Sequence, residues 1–289
     1  MIKIIVDSTF DLPEEIINQL NIDIIPLRVL IGEKEFYDKT DITVKEVYDA
    51  MRSGIMPKTS QPNLVHVREL FKGYAERNEN FVYISFSAKM SGTYQSAKLI
   101  LEELKEEYPN VKMEVIDSKG GSQGIGLMVL GIHERIQKGA SFEEVIKVLN
   151  FYRDNVEHFF NLTDLNWLSK GGRLSKGKAV VGSLMNIKPI LKIEDGEIIH
   201  FKSVRGKKKA TKEMINEVLD LIPKRDFKYI GIGHSDDLEM AITIKETLEK
   251  QYPDKNYLLT DIGSVLTSHL GIGGTGILLM SEYIDEYNK

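Results

Sequence analysis

Residues 85–96 read Ser-Phe-Ser-Ala-Lys-Met-Ser-Gly-Thr-Tyr-Gln-Ser, a hydroxyl-rich stretch holding one glycine. It lies between the apolar run Phe81 to Phe86, read as a buried strand, and a helical pattern from Thr93 to Tyr108 with apolar positions at Ala97, Ile100, Leu101 and Leu104. A strand ending in such a loop at a helix start offers unpaired backbone N–H groups and the positive end of a helix dipole, both suited to an anion. Neither a Gly-Lys-Ser/Thr phosphate loop nor a Gly-x-Ser-x-Gly elbow is expected beside it, and the chain has no cysteine. The pattern is that of a place to hold a carboxylate or phosphate, with no obvious group to attack one.

The elements that must position this loop alternate between strand and helix. Lys3 to Val6 reads as a first strand, and Asp11-Leu12-Pro13-Glu14 reads as a helix start with capping-box spacing. Ile22 to Ile31 is extended and broken at Pro26, Thr43-Val44-Lys45-Glu46 is a second capping box, and Thr59 to Asn63 is a turn into a helix from Leu64. Val111 to Ile116 is a strand, followed by a polar turn and a long helix to about Lys138. This alternation implies a parallel, doubly wound sheet with ligands at the carboxyl ends of its strands. That rule places Asp7-Ser8-Thr9, Ser87 to Thr93 and Asp117-Ser118 on one polar rim, which Thr59-Ser60 can join.

Beyond residue 155 the pattern changes. An apolar strand around His158 precedes a Gly/Lys-rich loop at Lys170 to Lys178 and a helix from Ala179 to Met185. Two extended runs flank Asp195-Gly196, the dipeptide of a two-residue hairpin. A helix from Lys207 to Leu221 and strands at Tyr229 to Gly233 and Tyr257 to Asp261 follow. The expected fold is α/β in two domains. Residues 1–155 form a three-layer α/β/α unit on a mainly parallel sheet, and residues 156–289 form a two-layer α+β unit on a mixed sheet.

Composition bounds the function. At 289 residues, 42% hydrophobic and 28% charged, the chain is an ordinary soluble globular protein. No run is long enough to span a membrane and the N-terminus is too short for a signal peptide, which with the absent cysteines fits a cytoplasmic location. The net charge of −5 argues against a nucleic-acid partner. No metal or cofactor motif appears. The run Gly271 to Gly276 looks like a dinucleotide fingerprint following a strand, but the βαβ context is lacking and the glycines read as loop-shaping.

The segments Asp7-Ser8-Thr9-Phe10-Asp11-Leu12-Pro13, Thr59-Ser60-Gln61-Pro62, Ser91-Gly92-Thr93-Tyr94, Leu168-Ser169-Lys170-Gly171-Gly172-Arg173-Leu174-Ser175 and His269-Leu270-Gly271-Ile272-Gly273-Gly274-Thr275-Gly276 together resemble the DegV family, the fatty-acid-binding proteins also called FakB. The resemblance implies a two-domain protein that takes a long-chain fatty acid into an apolar tunnel and presents its carboxylate to a separate ATP-using kinase. The acyl phosphate then passes to lipid synthesis, with an acyltransferase at the membrane surface as a further partner. Carried over by position, Thr59 and Ser91 are the carboxylate donors, with His269 and Arg173 near the headgroup. Ala88-Lys89-Met90 and Ile272 depart from the family pattern.

Physical chemistry asks for the same division of labour. Fifteen or so buried methylenes supply on the order of 12 kcal/mol before binding costs. An unpaired buried carboxylate cancels much of that gain. Hydroxyls at Thr59, Ser60 and Ser91 and the N–H groups of Gly92 and Thr93 can solvate it, leaving Arg173 to steer the headgroup or a phosphorylated product. Arg205, Lys207, Lys208 and Lys209 put positive charge at a helix start, where it opposes the dipole, so a partner contact there stands against a plain solvated face. The competing reading is an enzyme, a kinase or hydrolase acting on a small phosphorylated or carboxylated metabolite.

Overall fold

The structure, a computed structural model, describes residues 2–174 and 187–284. Four parallel strands, β1 (Lys3–Asp7), β2 (Ile22–Ile25), β6 (Phe81–Ser85) and β7 (Met113–Asp117), make the first sheet in the order β2-β1-β6-β7. β1 and β6 are apolar along their lengths because both faces are covered, as a parallel sheet requires. Alternation splits their side chains between two cores. Ile5, Phe81 and Tyr83 pack with α3 (Leu64–Glu76) and α4 (Thr93–Glu107), whereas Ile4, Val6, Val82 and Ile84 pack with α5 (Gln123–Gln137) and α6 (Phe142–Asp154).

Between these elements the chain builds a small antiparallel sheet of β3 (Arg28–Ile31), β4 (Lys34–Tyr37) and β5 (Lys58–Ser60), with β3 central. Two short helices accompany it, α1 (Glu14–Ile17) and α2 (Val44–Arg52). Thr43 caps α2 with Glu46 in a full capping box. The expected box at α1 is absent. Pro13 occupies the cap position there, and the Asp11 carboxylate instead takes the Ser122 hydroxyl, the Lys39 ammonium and the Gly263 N–H.

The second sheet is mixed and six-stranded, in the order β10-β9-β8-β13-β11-β12. Its strands are β8 (Val156–Asn161), β9 (Ile187–Glu194), β10 (Glu197–Arg205), β11 (Phe227–Ser235), β12 (Asn256–Asp261) and β13 (Gly274–Ser281). Asp195 and Gly196 turn the β9–β10 hairpin with φ of 47° and 83°, the left-handed pair that a type I′ turn needs. Helices α8 (Lys207–Leu221) and α9 (Leu238–Gln251) cover one face. α5 packs toward the other and is buried on all sides through its first ten residues, because it is the seam between the two sheets. Two further helices, α7 (Asn166–Gly171) and α10 (Ser264–Leu270), close the cleft. The glycine run therefore follows α10 rather than a strand, and its last residues open β13. The helix expected at Ala179 to Met185 lies outside the described residues. No helix among the described residues is long and apolar enough to cross a membrane.

Asp38 is 1% accessible, and neither carboxylate oxygen has a well-formed hydrogen bond among the described residues. Burial pushes its pKa up to about 6, against the opposing pull of Lys39 and the Ser8 hydroxyl. Because the folded value lies above the unfolded one, the folded state takes the proton first, and stability is lost as pH rises through about 6. Asp38→Asn is expected to stabilise the protein by roughly 1–3 kcal/mol at pH 7.5, with the gain shrinking below pH 6. Urea denaturation at pH 7.5 and 5 checks this, and an equal difference at both pH values rules it out.

Candidate functional site

The carboxyl end of β6 leads into the loop singled out in the sequence, and two carboxylates, Asp7 buried and Asp117 half-buried, hold that loop in place. Asp7 accepts the Phe86 N–H at 2.7 Å, and Asp117 accepts the Ala88 and Lys119 N–H groups at 3.0 and 2.9 Å. The Ser87 hydroxyl donates to the Gly196 carbonyl of the hairpin, tying the loop to the second sheet. At the start of α4, Ser91 Oγ accepts the Thr93 N–H and lies 2.8 Å from Thr93 Oγ1. Thr93 is buried behind Ser91 and its N–H is already used, so it supports the site rather than lining it.

β5 carries Thr59 and Ser60 to the same place. Gln61 fixes that approach, accepting the Ser96 hydroxyl on its side chain and the Arg28 Nε–H on its carbonyl. A Cβ at Gly92 would lie 2.5 Å from Gln61 Nε2, so any larger residue there would have to displace the Gln61 amide. The sequence reading left out Gln61 and Arg28, whose part in the site comes from contacts 35 and 33 residues apart in the chain.

Thr59 Oγ1 sits 2.6 Å from His269 Nε2, near the end of α10. A Cβ on Gly171 would fall 2.5 Å from His269 Nδ1, so α7 also packs on the imidazole. Burial first, then the Arg173 charge, lowers the His269 pKa to about 4, which leaves the ring neutral at pH 7. Arg173 is anchored by backbone, donating to the Met90 carbonyl at 3.2 Å and the Gly171 carbonyl at 2.6 Å. Among the described residues no carboxylate pairs with it. Its charge lines the site with no counter-ion among the described residues.

These groups line one cavity of about 700 Å³, within the roughly 300–1,000 Å³ usual for small-molecule sites. Its wall is mostly apolar: Phe86, Met90, Phe160, Ile198, Leu266 and Leu278 contribute from both sheets and α10. Leu64 lines it while 41% exposed, which marks an opening. Of the sequence candidates, Thr59, Ser60, Ser91, Gly92, Arg173 and His269 all reach this wall, and the Ser60 hydroxyl is buried there without a partner among the described residues. Arg205, Lys207, Lys208 and Lys209 do not. They stand at the end of β10 and the start of α8, where Lys207 pairs with Asp237 and the other three are exposed.

The expectation of no Gly-x-Ser-x-Gly elbow beside the site is corrected. Gly120-Gly121-Ser122-Gln123-Gly124 matches the Gly-x-Ser-x-Gly elbow, lies between β7 and α5, and holds Ser122 at φ 54°, ψ −139°. The hydroxyl of Ser122 donates to Asp11 at 2.6 Å, and Asp11 is itself paired with Lys39. No histidine bonds to Ser122 among the described residues. Among the described residues Thr59 and His269 are the nearest thing to a nucleophile–base pair, yet His269 Nδ1 has no partner there to fix its tautomer and the ring is a weak base. The arrangement holds an anion better than it attacks a carbonyl.

Fold and cavity define an α/β binding protein built on two large sheets and one small one, with an apolar chamber and a patch of hydroxyls and cationic or neutral nitrogen donors in its wall. The family model DegV, described as "Uncharacterised protein, DegV family", matches residues 1–282, and the chain belongs to that family. A DegV domain-containing protein of Clostridium perfringens is 34% identical over 282 residues, which cover 96% of this chain and 97% of that one. Among solved structures, a fatty-acid-binding DegV family protein from Thermus thermophilus superimposes with a TM-score of 0.88 at 30% identity, covering 97% of this chain and 99% of its own. DegV of Bacillus subtilis, a fatty acid binding protein, gives a TM-score of 0.87 at 29% identity, with 97% and 99% covered.

Proposed function

We propose that this chain binds a long-chain fatty acid in the cavity and presents its carboxylate to a separate ATP-dependent fatty acid kinase, carrying the acyl phosphate to lipid synthesis with no catalytic step of its own. One observation carries the reading: a mostly apolar chamber whose polar groups cluster around an arginine that lacks a counter-ion among the described residues. An alkyl chain satisfies the wall and a carboxylate satisfies the patch. In this reading Thr59, Ser60 and Ser91 hold the carboxylate, His269 orders Thr59, and Arg173 steers the headgroup or the phosphorylated product. Residues 1–155 carry the headgroup loops, and residues 156–289 complete the tunnel.

Mass spectrometry of an organic extract of the purified protein tests the ligand class. A stoichiometric fatty acid supports the reading. An empty protein that also fails to take up oleate or palmitate returns the site to a small phosphorylated or carboxylated metabolite.

The kinase contact is assigned to the basic run. Lys208 and Lys209 are exposed at the start of α8, where cations oppose the helix dipole by some tenths of a kcal/mol each. A Lys208→Glu, Lys209→Glu variant is expected to bind fatty acid like the parent and to slow phosphotransfer by a partner kinase roughly tenfold or more, with a weaker salt dependence. An unchanged rate removes this surface from the account.

A further inference from the structure

Arg28 and Arg173 are the only lysines or arginines among the described residues that line the cavity. The headgroup contacts described above leave the charge of Arg28 unused. It stands on β3 in register with Ser60 and lines the cavity beside Gln61 to Leu64, at the opening. Its Nε–H donates to the Gln61 carbonyl at 3.0 Å, and Nη1 lies 3.2 Å from Glu35 Oε1. Nη2 makes no hydrogen bond among the described residues. The side chain is 31% accessible and its Glu35 partner 44%, so the fork can be reached from the mouth. An ion pair that exposed is weak and yields to a stronger anion.

We propose that Arg28 binds the phosphoryl group of the acyl phosphate, so that the mouth of the cavity tells the phosphorylated chain from the free acid. The proposal rests on the carrier reading above. In that reading a carboxylate oxygen of the bound acid bonds to the γ-phosphorus of ATP on the kinase, the bond from that phosphorus to ADP breaks, and ADP leaves. A headgroup of one negative charge becomes one of about −1.5 to −2, as in other phosphate monoesters near pH 7. The alkyl chain fills the chamber and the kinase works from outside, so the added group extends toward the opening, where Arg28 stands. Arg173 meets the single charge of the acid. The second charge calls for a second cation at the mouth. A guanidinium anchored through Nε by a backbone carbonyl presents Nη1 and Nη2 as a planar pair of donors, which matches two phosphate oxygens. Glu35 holds Nη1 only until that anion arrives.

The test compares two ligands that differ only at the head. Palmitate and hexadecyl phosphate, a stable monoester, are titrated below their micelle concentrations into the delipidated full-length protein and into Arg28→Gln. The variant is expected to weaken hexadecyl phosphate roughly tenfold or more beyond whatever it costs palmitate, the worth of one charge-assisted hydrogen bond. Equal losses for the two ligands mean that the arginine only props the Gln61 strand, and they overturn the proposal. No loss for either overturns it as well. A parent protein that binds palmitate but not hexadecyl phosphate overturns it and leaves the carrier reading intact. Failure to bind either ligand removes both readings together. Should Arg28→Gln not fold, Glu35→Gln decides, because it frees the guanidinium at an exposed position. A shift of roughly two- to threefold in favour of hexadecyl phosphate over palmitate supports the proposal, and an unmoved ratio overturns it.

Discussion

A Thr59→Ala, Ser91→Ala double variant is expected to purify nearly free of fatty acid and to bind added oleate at least on the order of a hundredfold more weakly than the parent. The reason is the cost of a carboxylate that has left water. A hydrogen bond to a charged group contributes about 1.5–3 kcal/mol, and two are removed together. Thr59 matters twice, because its loss also strips His269 Nε2 of the hydroxyl 2.6 Å away. Thr59→Ser, which keeps that hydroxyl, should recover most of the affinity.

Arg173→Ala should weaken binding less, by roughly tenfold, since the guanidinium is held by the Met90 and Gly171 carbonyls and acts on the headgroup as a charge. Isothermal titration with delipidated proteins separates these cases, and melting curves verify that each variant is folded. If Arg173→Ala proves as damaging as the double variant, the arginine holds the carboxylate directly and the hydroxyls are secondary.

The sequence made this site legible wherever the signal was local. Phe81 to Ser85 announces a buried strand because both faces of a central parallel strand are apolar, and Asp195-Gly196 announces its hairpin through backbone conformation alone. The loop at Ser91 could be placed because a strand, a hydroxyl cluster and a helix start follow one another within a dozen residues. The meeting of Thr59 with His269 could not be read this way. It spans 210 residues and depends on β5 pairing with β3 while α10 packs against both. Family resemblance put those two residues in one site; no periodicity did.

The misses have the same origin. Asp11 carries the type and spacing of a capping residue, yet a tertiary triad of Ser122, Lys39 and the Gly263 N–H outcompetes the helix end for its carboxylate. The elbow at Ser122 stands after β7, away in sequence from the hydroxyl-rich loop. Only its hydrogen bond to Asp11 shows that the strained turn anchors structure instead of poising a nucleophile. His158 reads as one more member of an apolar strand. What sets it apart is the pair of glycines on the loop and helix start that face it.

Two desolvated histidines, His158 and His269, should make the delipidated protein acid-labile well above the range where carboxylates titrate. In the folded state His158 and His269 stay neutral until about pH 4, against an ordinary 6.5, chiefly because burial disfavours the charged ring and, for His269, because Arg173 adds repulsion. The unfolded chain therefore binds more protons between these values. Stability is full above about pH 6.5, falls as pH drops toward 4, and levels off below. Each ring contributes a loss of roughly 3 kcal/mol. Asp38 works in the opposite direction over nearly the same interval, returning about 3 kcal/mol as it takes up its proton. The net loss from pH 7 to 4 is then about 3 kcal/mol from these three groups, and Asp38→Asn should steepen it by removing the compensating group. His158→Phe should remove one histidine's share of the slope. Loading with fatty acid should flatten His269's share, because a carboxylate beside the ring gives the incoming proton a partner. Denaturant titrations at half-unit steps from pH 7.5 to 4.5 read these slopes directly. A delipidated protein whose stability is level from pH 7 to 5 would mean that both rings reach water and that neither is held neutral by its surroundings.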